Sequence, residues 1–207
     1  MYLIEKVLIR LIVRLFVRFR IDGLENIPRS GAMLVAANHL SVADPPIIGA
    51  YLVRHLRFMA KEELFRNWFF GFAVRQFGAF PVYRGSSSRQ ALRQAGEVLG
   101  SGEALVMFPE GKRSRTGGLQ VGQPGAALIA YHNRCAVLPV GICGTESIRG
   151  LKWIPKRPSV SLVIGKAFRL PEAGRSLSRE QLEVYTAIIM RKIGELLPDE
   201  YRGVYRG

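Results

Sequence analysis

Residues 38 to 45, Asn-His-Leu-Ser-Val-Ala-Asp-Pro, hold a proton acceptor and a carboxylate at a spacing that lets them cooperate only across a turn. On a continuous helix the step from His39 to Asp44 rotates by about 140°, so the two side chains diverge. On a strand an odd separation puts them on opposite faces. The flanks predict a turn between them. Ala32 to Asn38 is an apolar run that reads as a buried strand. Asp44-Pro45-Pro46 is a helix start in which Asp44 caps and Pro45 takes the first helical position. In that geometry Asp44 holds one imidazole nitrogen and leaves the other free to take a proton. The competing reading is a satisfied polar histidine beside an ordinary cap, and an isolated His…Asp pair does not decide between them.

Other strand ends bring more chemistry to the same edge. Gly78 to Arg84 reads as a strand ending in a cation, and Arg57 to Ala60 as a short strand running into Lys61. Ala104 to Phe108 is a buried strand whose exit is Pro109-Glu110-Gly111-Lys112-Arg113-Ser114. In open α/β sheets, sites collect beyond the carboxyl ends of parallel strands. A histidine base with no paired serine or cysteine points to direct activation of a substrate hydroxyl. Arg84, Arg113 and Lys61 then hold an anionic group such as a phosphate. Taken singly, each of these cations reads as a solvated surface charge. Together with His39 they read as a site.

The elements that must position these residues alternate. Strand candidates at 32–38, 57–60, 78–84, 104–108, 136–142 and 159–164 are interleaved with helix candidates at about 45–54, 67–72, 88–99, 125–132 and 178–197. Ser87 with Gln90, and Ser178 with Gln181, stand at capping-box spacing. The expected class is α/β: a single domain with a central, mostly parallel or mixed sheet flanked by helices and preceded by an N-terminal amphipathic helix. The division read is a helix over 1–22 and one domain over 23–207.

Composition limits the partners. The chain has 207 residues, with 30 Lys plus Arg against 16 Asp plus Glu, a formal charge of +14. That excess points to a polyanion: nucleic acid, anionic lipid or a phosphorylated substrate. A hydrophobic content of 48% favours a membrane surface. Cys135 and Cys143 sit by apolar runs and read as buried thiols in a reducing compartment, with no zinc site. In residues 1 to 20, Lys6, Arg10, Arg14 and Arg18 recur every fourth position and form one broad basic sector on a helix; the rest is aliphatic and aromatic. A basic residue at a helix centre costs about 3 kcal/mol, against a gain of about 0.5 for an aliphatic one, so spanning a bilayer is unfavourable. Lying in the interface with the basic sector at the headgroups keeps both terms favourable. The other reading is a helix docked on the domain with its cations in water.

Four blocks taken in order carry a family resemblance: NHLSVADP, GAFPVYR, FPEGKRS and VLPVG, over residues 30 to 145. In these the chain resembles the glycerolipid acyltransferases, and in particular the 1-acylglycerol-3-phosphate (lysophosphatidate) acyltransferases. The resemblance implies that His39 is the general base that draws the proton from an acceptor hydroxyl as its oxygen attacks an acyl thioester, and that Asp44 orients it. It implies that Arg84 binds phosphate, that Glu110 and Gly111 shape the acceptor site with Arg113 nearby, and that Pro139 is structural. The implied co-substrates are acyl-CoA or acyl-carrier protein and a lysophospholipid, the product being phosphatidic acid, with no cofactor and no metal. The implied place is the cytoplasmic face of a membrane, peripheral or monotopic. Two departures stand out: Lys112 occupies a usual threonine position, and Gly122-Gln123-Pro124-Gly125 lacks the lysine often found there. The other classes weighed are a thioester or lipid hydrolase, with His39 activating water, and a nucleic-acid binder. No nucleic-acid-binding motif accompanies the charge, so no nucleic-acid partner is expected.

Overall fold

The computed structural model describes residues 2–82, 88–150, 152–172, 174 and 177–206. Helix α1 (Tyr2–Phe16) leads into strand β1 (Arg18–Asp22). Then come β2 (Met33–Ala37), α2 (Asp44–Tyr51), β3 (Leu56–Lys61), α3 (Trp68–Gln76) and β4 (Ala79–Val82). After these follow α4 (Ser88–Gly100), β5 (Ala104–Met107), α5 (Gly125–His132), β6 (Ala136–Cys143), β7 (Ser159–Ile164) and α6 (Arg179–Gly194). The strands form one sheet in the order β1-β7-β6-β2-β5-β3-β4. Every pairing is parallel except β6 with β7.

A strand buried on both faces has no need of a polar side, which explains the unbroken apolar runs. In β2 the two-residue period sends Met33, Val35 and Ala37 to one face, against Ile47 and Ile48 of α2 and Val13 of α1. Leu34 and Ala36 go to the other, with Leu99 of α4, Ala127 of α5 and Met190 of α6. Cys135 and Cys143 are buried free thiols, and burial pushes their pKa values up to about 11 and about 12. The Ser178 capping box opens α6 as its spacing predicts, with Gln181 N donating to Ser178 Oγ at 3.1 Å and Ser178 N to Gln181 Oε1 at 2.9 Å. Its counterpart at Ser87 lies outside the described residues.

Three local expectations need correction. The first helix stops at Phe16, and Arg18 to Asp22 form an edge strand with Arg18 opposite Ser159. In that strand Phe19 and Ile21 alternate with exposed Arg18 and Arg20, and Phe19 stacks on Tyr51 at 4.2 Å. Here a two-residue period wins over a continued helical one. Asp44 is not the cap of α2 but its first residue, after Ala43. Finally, the basic sector of α1 does not face outward as a unit. Lys6 is buried and donates to Leu52 O at 2.8 Å, because the carbonyls at the end of α2 lack helical partners. The outward surface is largely apolar: Leu3, Ile4, Val7, Leu8, Leu11 and Leu15 are each at least half exposed, with Arg10 and Arg14 exposed beside them. On α3, Trp68 and Phe72 are exposed too.

Candidate active site

The site lies where three neighbouring parallel strands, β6, β2 and β5, reach their carboxyl ends. The β2 ladder ends at Ala37, and Asn38 continues it with a side chain. Its Nδ2 donates to Ile142 O at 2.8 Å, and Ile142 N donates to its Oδ1 at 2.8 Å. Here the primary amide uses one of its two N–H donors and its carbonyl oxygen, pairing as a peptide would, so the backbone can leave the sheet without orphaning β6. The turn that follows carries His39.

The predicted meeting of His39 and Asp44 is present. His39 Nδ1 lies 2.7 Å from Asp44 Oδ2, with the carboxylate fully buried and the imidazole 17% exposed. Asp44 Oδ2 also accepts from the N–H groups of Leu40 at 2.6 Å and Ser41 at 2.7 Å, while Thr145 Oγ1 donates to Oδ1 at 2.5 Å. Four donors on one buried carboxylate supply the compensation that a buried charge requires. As the first residue of α2, Asp44 also sits at the positive end of the helix dipole. A carboxylate on Nδ1 fixes the tautomer that leaves Nε2 with its lone pair. Nε2 has no hydrogen-bond partner among the described residues, and it belongs to the partly exposed side chain.

The loop after β5 wraps the other side of the ring. Phe108 stacks on the imidazole, centroids 4.1 Å apart and planes 22° apart. Glu110 is 2% exposed; its Oε1 accepts from His39 N at 2.8 Å and its Oε2 from Gln120 N at 2.9 Å. Burial raises the Glu110 pKa, opposed by those two N–H donors. Ser114 N returns a bond to His39 O at 2.7 Å, so both backbone polar groups of the histidine are held by this loop. The tight turn at its head needs a left-handed residue, and Gly111, with φ +68°, supplies it while its N–H bonds Phe108 O.

The remaining sequence candidates fall at the same edge or outside the described residues. Arg113 is exposed on this loop, next to Ser114, and has no ion-pair partner among the described residues. Lys61 ends β3, opposite Val82 of β4. Arg84 lies outside the described residues. Pro139 is buried within β6, paired with Ala36, as a structural role requires. Sequence reasoning missed Thr145, Asn38 and the ring contact of Phe108. Thr145 follows the apolar run of β6 after Gly144, but its use depends on β6 lying beside β2, and the chain order does not reveal that neighbour.

Comparison with known proteins gives the family. Residues 18–143 match the family model described as Acyltransferase. The chain is 27% identical over 173 residues to 1-acyl-sn-glycerol-3-phosphate acyltransferase of Bacillus subtilis, covering 83% of this chain and 84% of that protein. It is 36% identical over 120 residues to the protein of the same name from Streptococcus pneumoniae, covering 57% of this chain and 44% of that one. Among solved structures, the 1-acyl-sn-glycerophosphate (LPA) acyltransferase PlsC from Thermotoga maritima superposes with a TM-score of 0.71 at 32% identity, over 93% of this chain and 78% of that chain. A matched family model across more than half of the sequence and a shared fold at this identity place the chain in the acyltransferase family, among the 1-acylglycerol-3-phosphate acyltransferases.

Proposed function

We propose that this enzyme moves a fatty acyl group from an acyl thioester, acyl-CoA or acyl-carrier protein, to the free hydroxyl of 1-acylglycerol-3-phosphate at a membrane surface, forming phosphatidic acid. The carrying observation is the His39–Asp44 contact at 2.7 Å with the far ring nitrogen left open. In the reaction His39 Nε2 takes the hydroxyl proton while the oxygen attacks the thioester carbonyl. The tetrahedral intermediate then collapses, the C–S bond breaks, and the imidazolium returns its proton to the departing sulfur. The products are ester and free thiol, so no external acid or base is consumed. Asp44 holds the ring and stabilises its charge, and such general base catalysis supplies about 10²- to 10⁴-fold. The names of the relatives support the acceptor. Arg113, Arg84 and Lys61 are the cations assigned to its phosphate, by charge and by their places in the sequence: Arg113 after β5, Arg84 in the GAFPVYR block, and Lys61 as the last residue of β3.

The membrane is assigned from α1. Its exposed Leu3, Ile4, Val7, Leu8, Leu11 and Leu15 form an apolar face on a chain of charge +14, a combination that suits an anionic bilayer. Among the described residues no helix is long and apolar enough to cross a membrane, which suits binding along the surface. The test is purified protein with radiolabelled acyl-CoA or acyl-carrier protein and a panel of lysophospholipids. Acceptor-dependent ester formation that disappears in His39→Ala supports the reading. Thiol release at one rate with and without acceptor refutes it in favour of a hydrolase.

A further inference from the structure

Two cations of helix α1, the buried Lys6 and the exposed Arg10, end on the same neighbour. Lys6, only 5% exposed, donates from Nζ to Leu52 O at 2.8 Å and to Arg54 O at 3.2 Å. Arg10 donates from Nε to Ala50 O at 2.8 Å, with its guanidinium 5.7 Å from the Tyr51 ring centroid. These carbonyls belong to the last turn of α2 and the residues after it. A helix end of this kind has carbonyls without helical partners and a partial negative charge, so cations suit it. Burying the ammonium is costly in itself: burial first, then the Arg10 charge, lowers the Lys6 pKa to about 8. A merely solvated lysine would avoid that cost.

The other end of α2 is the active site. The helix is eight residues long, about 12 Å at 1.5 Å per residue. Asp44 opens it, gripping His39, and the carbonyls held by Lys6 and Arg10 close it. With Lys6 turned inward and Arg10 held on α2, the aliphatic residues of α1 are left exposed. One short rod therefore joins the exposed apolar helix to the catalytic pair.

We propose that Lys6 and Arg10 are positioning residues that lock α2 to α1, so that the surface on which α1 lies sets the placement of Asp44 and His39. This rests on the lipid-surface reading of α1 given above. Lys6→Met and Arg10→Met keep the length and apolar stem of each side chain and remove the donors. They are compared with wild type and with Arg191→Met, which alters an exposed cation of α6. The assays use the full chain, acyl-CoA, and lysophosphatidate in phosphatidylcholine–phosphatidylglycerol vesicles, with vesicle flotation measured in parallel. Lys6→Met and Arg10→Met are expected to float like wild type, lose about ten-fold in kcat with KM changed less than two-fold, and shift the downfield proton resonance of His39 Nδ1–H. Lys6→Arg should recover most of the rate, and Arg191→Met should stay within two-fold in kcat.

Bound variants with wild-type kcat and an unmoved His39 resonance would overturn the proposal. So would a rate loss confined to KM. If Lys6→Met does not fold, the milder Arg10→Met carries the same test through the same readouts. Wild type that acylates lysophosphatidate without floating would instead refute the lipid-surface reading, and flotation without acylation would refute the enzymatic one.

Discussion

Two buried carboxylates grip the same histidine from opposite directions. Asp44 is five residues away and takes the ring through Nδ1; Glu110 is 71 residues away and takes the backbone N–H. Asp44 receives four donors, one of them the imidazole, and Glu110 receives two, both backbone. The difference assigns their work. A carboxylate on the ring bears on the tautomer and on the stability of the imidazolium, which are properties of the reaction. A carboxylate on the main chain bears on where the residue stands, which is a property of the fold. The chain thus separates the orientation of the histidine's ring from the location of its backbone and gives each its own acid.

The sharpest way to break this contrast is at the ring. His39→Ala removes the proposed base and is expected to lower kcat by about 10²- to 10⁴-fold in acceptor-dependent acylation. Asp44→Asn follows, with a loss of about 10²-fold. One oxygen remains to accept, and the new amide faces donors, so stability should also fall by about 1–3 kcal/mol in urea unfolding. Glu110→Gln should reverse the balance. One of the His39 and Gln120 N–H groups loses its acceptor, costing about 1–3 kcal/mol, while kcat falls by no more than about ten-fold. A Glu110→Gln enzyme as slow as Asp44→Asn would erase the distinction. Thr145→Val sharpens it, removing only the bond to Asp44 Oδ1; about 1 kcal/mol of stability and a few-fold in kcat are expected to be lost.

What the sequence discloses follows the same division. The Asp44 contact is local, so spacing and flanking signals suffice: an odd separation, a strand before it and Pro45-Pro46 after it leave a turn as the only way to meet. The long strands and the Ser178 capping box are legible for the same reason, because each is written in a few adjacent residues. Glu110 on the histidine backbone, Thr145 on Asp44 and Asn38 on Ile142 depend on which strands are neighbours. The order β6-β2-β5 is a property of the folded sheet that no window of sequence contains. The inward turn of Lys6 was hidden likewise, since its partner is an unsatisfied carbonyl, a group every residue possesses. Strand β1 is not legible in the sequence because a strong helical pattern runs directly into it, and the β7 pairing that completes it lies far along the chain.

The smallest expected effect concerns how Glu110 titrates. Its folded pKa is raised, by burial above all. Between the ordinary glutamate value and that raised value, the folded state therefore holds more protons than the unfolded one. Stability from this group is fully present below the ordinary value and declines as pH rises through the folded one, following the proton difference between states. Glu110→Gln has no proton to lose, so its unfolding free energy should lack this component. The stability advantage of wild type over Glu110→Gln is expected to be larger at the acid end of the window and to shrink toward neutrality, measured by urea unfolding at matched ionic strength. An advantage that instead grew with pH would mean that the His39 and Gln120 N–H groups outweigh burial, and that Glu110 serves the site chiefly as a charge, which is the role assigned here to Asp44.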